Sequence, residues 1–142
     1  MTDKFNYQTV CLHILSGILY RTTKIKTVDY ANEHLFKPLG IAMHENYYAE
    51  TAEEHKPFTI GKTPKETIWF CNPDGLGTPG YDLCMSAEDM KKIGLVCTNR
   101  DCYGDKQIVS AGWINEMTLP RTVESDKFRN MDYGYLWCII DR

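Results

Sequence analysis

The residues of greatest chemical interest lie near the start of the chain, where Tyr7 and Thr9 precede an apolar repeat. The spacing of three and four in this repeat predicts an amphipathic helix that packs against a core. Unpaired N–H groups and partial positive charge at a helix N-terminus favour a phenolate, which would let Tyr7 move a proton. The alternative is that Tyr7 is an aromatic residue that covers the core. The repeat consists of Val10, Cys11, Ile14, Leu15, Ile18 and Leu19.

A glycine-rich stretch from Gly75 to Gly80 matches the G-x-G-x-x-G pattern of dinucleotide-binding sites. In those sites a helix begins directly at the glycines, so that its N-terminus meets the pyrophosphate. Here the next predicted helix cannot begin before Ser86, and no alternation of strands and helices surrounds the stretch. We therefore interpret it as a loop rather than as a nucleotide site.

The six cysteines and four histidines are scattered along the chain. No C-x-x-C pair occurs, and no two histidines have the spacing of a zinc-binding helix, so we predict neither a metal nor a cofactor. Several cysteines lie in apolar runs, where cysteine behaves as a small buried hydrophobic residue with a reduced thiol. A disulfide between Cys97 and Cys102, or a zinc or redox protein built on the cysteines, remains the alternative.

The composition predicts one domain over residues 1–142, with residues 42–67 as an exposed excursion. The 43% of apolar residues can furnish a core, and the net charge of −3 gives no reason to expect nucleic acid as a partner. No apolar run approaches the roughly 20 residues that a membrane span needs. Residues 1–10 contain no apolar segment typical of a signal peptide, so we expect a soluble chain.

Two further helices follow from capping signals. Thr27 is the predicted N-cap of a helix that ends before Pro38, because a proline disfavours helical backbone at the residue before it. Ser86 and Asp89 predict a capping box. The apolar residues expected on the buried side of this later helix are Met90, Ile93, Leu95 and Val96.

The C-terminal part combines a short helix with a strand. Ser110 is the predicted cap of a helix over Ala111–Met117, in which Trp113 is expected to anchor the core. The aromatic and β-branched run from Met131 to Asp141 predicts one β-strand, entered through Gly134.

Several of these segments resemble the serine β-lactamase and penicillin-binding-protein superfamily, and within it the class C-like, β-lactamase-related hydrolases. Tyr7-Gln8-Thr9 matches the tyrosine motif of that family. The later segments resemble its glycine-rich stretch before a capped helix, its lysine-glutamine-isoleucine run and its Tyr-Gly-Tyr-Leu-Trp run. The first segment is matched at Phe5, Tyr7, Thr9, His13, Leu15, Ser16, Asp29, Tyr30, Ala31, Leu35, Phe36, Pro38, Leu39, Gly40 and Ile41.

The resemblance implies a mainly α (α+β) fold, the helical domain of the β-lactamase/transpeptidase-like fold with a few short strands. It implies that Tyr7 is the general base or proton shuttle. Thr9 stands where many relatives have a substrate-binding asparagine, a difference that leaves its role open. Relatives tend to have glycine where Pro79 and Asp82 stand, and they commonly act in the cell envelope or outside the cell.

Two motifs of the family are absent from this sequence. No serine is followed by lysine three positions on, and no Lys/His-x-Gly motif follows Trp137. Acyl transfer needs a nucleophile, a base and an oxyanion hole. We therefore predict the helical part of a serine hydrolase that turns over a β-lactam, peptide or ester only in a complete enzyme. The alternative is a non-catalytic module that self-associates through exposed apolar surface.

Overall fold

The structure, a computed structural model, describes residues 8–61, 65–99, 102–124 and 131–140. They form two compact units, one from residues 8–92 and one from Ile93 onward. Helices and short strands occur together, which confirms the α+β class. The assignment of residues 1–142 to a single larger domain stays a prediction. In chain order the elements are α1 (Thr9–Thr23), α2 (Thr27–Ala31), a π-helix (Asn32–Phe36), β1 (Glu45–Tyr47), α3 (Ala52–Thr59), β2 (Ile68–Phe70), β3 (Leu83–Cys84), α4 (Ala87–Thr98), β4 (Cys102–Tyr103), β5 (Lys106–Gln107), α5 (Ala111–Met117), β6 (Thr122–Glu124), β7 (Met131–Tyr133) and β8 (Cys138–Ile140).

Helix α1 forms as predicted but packs through its polar face. Ser16 is its one buried residue, and the Ser16 and Thr27 hydroxyl groups form a hydrogen bond. Thr9 and His13 share this face at helical spacing. The prediction that the apolar stripe packs against a core is wrong in the part of the chain that the structure describes. Its exposed members are Val10 at 68%, Ile14 at 58%, Leu15 at 49% and Ile18 at 52%.

The core of the first unit is built from the segment that follows α1. Helix α2 has Asp29 in its first turn and continues into the π-helix, which ends at Phe36 before Pro38. The N-cap is Lys26, whose backbone is extended, so the prediction of Thr27 as the cap is wrong by one residue. Each buried apolar side chain contributes about 1.5–3 kcal/mol to stability. The most deeply buried are Val28, Phe36, Leu39 and Ile68, each 1% exposed.

A buried polar cluster ties the π-helix to the sheet. Asn32, the first residue of the π-helix, donates from Nδ2 to the carbonyl oxygen of His44 and accepts at Oδ1 from the backbone N–H of His44, both at 2.8 Å. The ring nitrogens of His44 lie 2.9 Å from the carbonyl oxygens of Ala42 and Cys84. Because buried polar groups need partners, this cluster fixes the chain where β1 begins.

The first sheet has the order β1-β2-β3, with β1 parallel and β3 antiparallel to β2. Helix α3 lies within the stretch expected to be an exposed excursion, and none of its residues is fully buried. Its Phe58 nevertheless packs against Tyr47 and Phe70, with ring centroids 5.2 and 4.9 Å apart. These contacts hold α3 against the sheet.

Helix α4 begins with the predicted capping pair. The backbone N–H of Asp89 donates to Ser86 Oγ at 3.1 Å, and that hydroxyl donates to Asp89 Oδ2 at 3.0 Å. Val96 is buried, but Met90 is 60% exposed and Leu95 36% exposed, so the predicted buried side is wrong at those two positions. The cap, rather than an apolar face, defines where this helix begins.

Replacing Asp89 with asparagine should destabilise the chain in a pH-dependent way. The hydrogen bond from Lys92, at 2.7 Å, is the main cause that lowers the pKa of Asp89, with Ser86 adding to it and burial opposing it. A carboxyl group with a depressed folded-state pKa stabilises the fold above its unfolded pKa, and this contribution is lost as the pH falls through the folded value. We expect a loss of about 1 kcal/mol near pH 7, which shrinks below about pH 4.

The matched control is Glu88→Gln, one residue earlier on the same helix. Glu88 pairs with Lys91 at 3.6 Å, but the two side chains are 70% and 63% exposed. Exposed pairs contribute little, so we expect a change within about 0.5 kcal/mol. Urea denaturation of both variants and the parent, at neutral and acid pH, gives the comparison. Equal losses at both pH values would contradict the role given to Asp89.

The second unit contains a two-stranded sheet, β4-β5, and a three-stranded sheet, β6-β7-β8. Helix α5 is capped as predicted, since Ser110 Oγ accepts from the backbone N–H of Trp113 at 3.2 Å. Ile114 and Met117 are its buried residues, whereas Trp113 is 51% exposed and stacks on Tyr135 with centroids 6.0 Å apart. The prediction of Trp113 as a core anchor is therefore wrong.

The predicted single strand after Met131 is two strands. β7 and β8 pair antiparallel with Tyr133 opposite Cys138, and the N–H of Gly134 donates to the carbonyl oxygen of Trp137 at 2.8 Å to close the turn. Leu136 lies in the left-handed region at φ 64°. The aromatic run thus crosses a tight turn, and Asp141 lies outside the described residues.

Candidate functional site

A cleft of about 420 Å³ opens in the unit formed by residues 8–92. Its walls come from α1, α3, the end of β2 and the loop that leads to β3. Aromatic and apolar side chains predominate, together with two histidines. The lining residues are His13, Tyr48, Ala49, His55, Phe70, Cys71, Asn72, Leu76, Gly77, Thr78 and Tyr81.

The glycine-rich loop is shaped by its own hydrogen bonds. Asn72 Oδ1 accepts from the backbone N–H of Leu76 at 2.8 Å, and Gly75, at φ +75°, supplies the left-handed turn that this bond closes. The Thr78 hydroxyl donates to the carbonyl oxygen of Phe70 at 2.9 Å. The loop therefore forms a cleft wall, and the next helix begins at Ala87, too far along the chain to present its N-terminus to the glycines.

Gly80 is where this loop meets α1. A Cβ atom built at Gly80 would overlap Thr9 Cγ2 and lie 3.2 Å from the Thr9 carbonyl oxygen, so only glycine permits this approach. Thr9, the substrate-binding position by resemblance, is thereby packed beside the loop. Tyr7, the predicted proton shuttle, lies outside the described residues.

His55 and Asp82 form a hydrogen-bonded pair at the cleft. His55 Nε2 lies 2.8 Å from Asp82 Oδ2, and the two side chains are 34% and 20% exposed. The imidazole ring also packs edge-on against Phe70, with centroids 4.8 Å apart. The carboxylate and the aromatic ring together fix the orientation of the His55 imidazole.

Asp82 holds its position at a conformational cost. Its φ of +60° lies in the left-handed region, which aspartate tolerates better than most residues but glycine adopts freely. The family resemblance leads us to expect glycine at this position, and a positive φ agrees with that expectation. Aspartate instead supplies the carboxylate that orients His55.

His13 faces the cleft from α1. Its Nδ1 is buried and has no hydrogen-bond partner among the described residues, and the ring meets Tyr81 edge-on with centroids 5.2 Å apart. A buried polar atom without a partner is uncommon. This wall of the cleft therefore contains one polar atom whose hydrogen-bonding capacity is not used by the described residues.

Cys71, which also lines the cleft, is a poor candidate for a nucleophile. Burial raises the pKa of its thiol, although the nearby Lys26 ammonium group partly opposes the shift. The reactive form of cysteine is the thiolate, so this change lowers its reactivity. Burial also raises the pKa of Cys84 and Cys97, and the structure has all six cysteines as free thiols.

The cleft can orient a base, but it offers no activated nucleophile among the described residues. Ser16 bonds to Thr27, and Ser86 and Ser110 cap helices. No group of three His, Cys, Asp or Glu side chains suited to a metal occurs in the part of the chain that the structure describes. None of the helices described is both long and apolar enough to cross a membrane.

Sequence reasoning did not identify His55 or Asp82 as site residues. His55 lies in a polar stretch without a motif, and its partner is 27 residues away. The one available signal was the aspartate at a position where the family resemblance leads us to expect glycine. Tyr48 and Phe70 likewise reach the cleft through tertiary packing, which no spacing pattern records.

Comparison with known proteins identifies the fold. No family model matches the chain, and no curated protein matches it. Among solved structures it is similar to the octameric penicillin-binding protein homologue from Pyrococcus abyssi, with a TM-score of 0.58 and 20% sequence identity. The match covers 95% of this chain and 30% of that protein. The chain therefore has a penicillin-binding-protein-like α+β fold and spans under a third of the length of this structural neighbour.

Proposed function

We propose that this chain is the mainly helical portion of a class C-like serine hydrolase that acts through an acyl-serine intermediate in the complete enzyme. The observation that carries the proposal is the fold similarity to a penicillin-binding protein homologue over 95% of the chain. The matched family motifs add to it. In this proposal the substrate is a β-lactam, a peptide or an ester, and the nucleophile comes from outside this chain.

Tyr7 is the residue to which we assign proton transfer, and Thr9 the one that contacts substrate. Thr9 begins α1 and packs on Gly80. A phenol two residues before it would lie close to the helix N-terminus, whose unpaired N–H groups stabilise negative charge. Tyr7 would then accept the proton of the serine and return it to the leaving group.

The first test uses this chain alone. Without the Ser-x-x-Lys nucleophile, we expect no turnover of a chromogenic β-lactam or a p-nitrophenyl ester that depends on Tyr7, and no serine acylated by a β-lactam in intact-mass spectra. Hydrolysis by the purified chain that Tyr7→Phe abolishes would contradict the proposal.

The second test uses the source genomic locus. We expect an in-frame Ser-x-x-Lys upstream and a Lys/His-x-Gly downstream, and in the protein from that reading frame Tyr7→Phe should lower kcat by about 10²–10⁴-fold. Stop codons bounding the chain on both sides would remove the catalytic role and leave a non-catalytic module.

A self-association module is the second candidate, favoured by the exposed apolar face of α1. Ile14 is 58% exposed and Ile18 52% exposed one turn later, and they share a face with Val10 and Leu15. Contiguous exposed apolar patches mark interaction sites, and the structural neighbour is octameric. Burying this face against a second copy is the simplest way to remove it from water.

Light scattering after size-exclusion chromatography tests this module. The double variant Ile14→Lys, Ile18→Lys should be monomeric at concentrations where the parent associates. The matched control places lysine at Met43 and Ile60, which are 68% and 55% exposed elsewhere on the same unit, and should associate like the parent. A parent that is monomeric at high concentration would contradict the module.

A further inference from the structure

We propose that the cleft is a binding site for small, neutral phenolic ligands, with His55 as the residue that accepts the phenolic hydrogen. This inference does not rest on the proposed function, because it needs neither a serine nucleophile nor Tyr7. Its basis is the orientation of His55, the walls of the cleft and the charges around it.

The hydrogen-bonding role of His55 follows from its partner. A carboxylate oxygen can only accept, so Nε2 of His55 carries the proton that it donates to Asp82. In the neutral ring Nδ1 then has a lone pair and is an acceptor. Nδ1 has no hydrogen-bond partner among the described residues, and a ligand that satisfies it must offer an O–H or N–H donor.

The aromatic side chains that line the cleft favour a ligand with a flat ring. Phe70 is 4% exposed and packs against the His55 imidazole, while Tyr48 and Tyr81 are 46% and 49% exposed. Aromatic rings pack favourably against other rings, edge-on or offset. The volume of about 420 Å³ is within the range of pockets that hold small molecules.

The charges at the cleft lining disfavour anionic ligands. An anion would meet the carboxylate of Asp82. No lysine or arginine is among the described residues that line the cleft, although the Lys26 ammonium group lies near Cys71 behind that lining. A neutral ligand with an acidic O–H on an aromatic ring fits both the walls and the acceptor.

The hydrogen bond should be stronger than one to an ordinary histidine. The carboxylate of Asp82 stabilises positive charge that develops on the imidazole as it accepts the hydrogen, as a carboxylate does for histidine in catalytic triads. The other polar side chains of the loop are already occupied, since Asn72 and Thr78 bond to the backbone. We therefore assign the discrimination between ligands to His55 rather than to the polar side chains of the loop.

The experiment compares two ligands of nearly the same shape by isothermal titration calorimetry at pH 7. p-Cresol carries the O–H donor, and 4-methylanisole replaces that hydrogen with a methyl group. We expect p-cresol to bind with Kd of about 1 mM or below and at least about tenfold more tightly than 4-methylanisole. The ring signals of His55 should shift in NMR spectra as p-cresol is added.

Variants of the two residues test whether the hydrogen-bonded His55–Asp82 pair causes the preference for p-cresol. His55→Phe keeps an aromatic ring at this position but removes the acceptor Nδ1, and should abolish the preference for p-cresol. Asp82→Asn keeps a side chain that tolerates the left-handed backbone and should weaken p-cresol binding about threefold, since it removes the charge behind the imidazole. His34→Phe changes an exposed histidine that is absent from the cleft lining and should bind like the parent.

Three results would overturn the proposal. They are the absence of saturable p-cresol binding up to about 10 mM, equal affinity for the two ligands, and an unchanged preference in His55→Phe. If His55→Phe does not fold, as judged by circular dichroism, the ligand pair on the parent and the Asp82→Asn variant decide the question.

Discussion

Gly134→Ala is expected to lower the free energy of unfolding by roughly 3 kcal/mol or more. A Cβ atom at this position would overlap the carbonyl oxygen of Met117 and lie 3.1 Å from that of Leu119. Both are backbone atoms, which cannot move aside as a flexible side chain can. Relief would require β7 to withdraw from the end of α5, with loss of the 2.9 Å hydrogen bond from the Tyr135 N–H to the Met117 carbonyl oxygen.

Gly112→Ala is the matched control for this substitution. Gly112 lies in α5, in the same unit, and a Cβ atom there has nothing within 4 Å. Alanine has the higher helix propensity, so we expect this variant to gain up to about 1 kcal/mol. Urea denaturation followed by tryptophan fluorescence compares the two. A loss at Gly134 no larger than about 1 kcal/mol would show that the strands accommodate a Cβ atom.

Asn32→Ala is expected to cost roughly 3 kcal/mol. Asn32 is 4% exposed and satisfies both the backbone N–H and the carbonyl oxygen of His44 with bonds of 2.8 Å. Alanine would leave two buried backbone groups without partners, each at a penalty of about 1–3 kcal/mol. The loss should also loosen the segment between the π-helix and β1, because His44 links them.

Asn115→Ala serves as the comparison for the amide side chain itself. Asn115 is exposed on α5, where alanine is a better helix former, and the expected change is within about 0.5 kcal/mol. Denaturation curves for both asparagine variants, at the same pH, measure the difference. Similar small effects at the two positions would mean that water replaces the Asn32 side chain in the cluster.

The helices that carry local signals were predictable. The apolar spacing from Val10 predicts α1, and the Ser86 and Ser110 caps predict where α4 and α5 begin, because capping is decided by a side chain and the backbone within three residues of it. The fold class followed from the same signals together with the family resemblance. These are local interactions, and the sequence records them directly.

Local signals did not predict which face of a helix packs against the rest of the unit. The stripe on α1 indicated a buried face, yet Ser16 is buried and Ile14 exposed. Periodicity identifies an apolar face without identifying its neighbour. Trp113 and the turn at Gly134 were misjudged for the same reason, because stacking on Tyr135 and the approach of the Met117 carbonyl oxygen are tertiary contacts.

The cleft shows this limit most clearly. His55 and Asp82 are brought together by α3 and the loop before β3, and neither belongs to a spacing motif. Aspartate in place of the expected glycine was visible in the sequence, but its meaning depended on the positive φ and on the histidine opposite. A residue that departs from a family pattern is informative only once its partner is known.

Helix α1 is held to the first unit by polar contacts, and this should make it open locally more readily than the apolar core of that unit. Local opening is easiest where few apolar contacts must be broken. The Ser16–Thr27 hydroxyl contact holds a helix whose apolar side chains lie in water, whereas Phe36 and Leu39 are sealed within the core. Backbone amides of α1 should therefore exchange hydrogen for deuterium sooner than those of the segment around Phe36, and any molecule seated on the exposed side of α1 should retard that exchange.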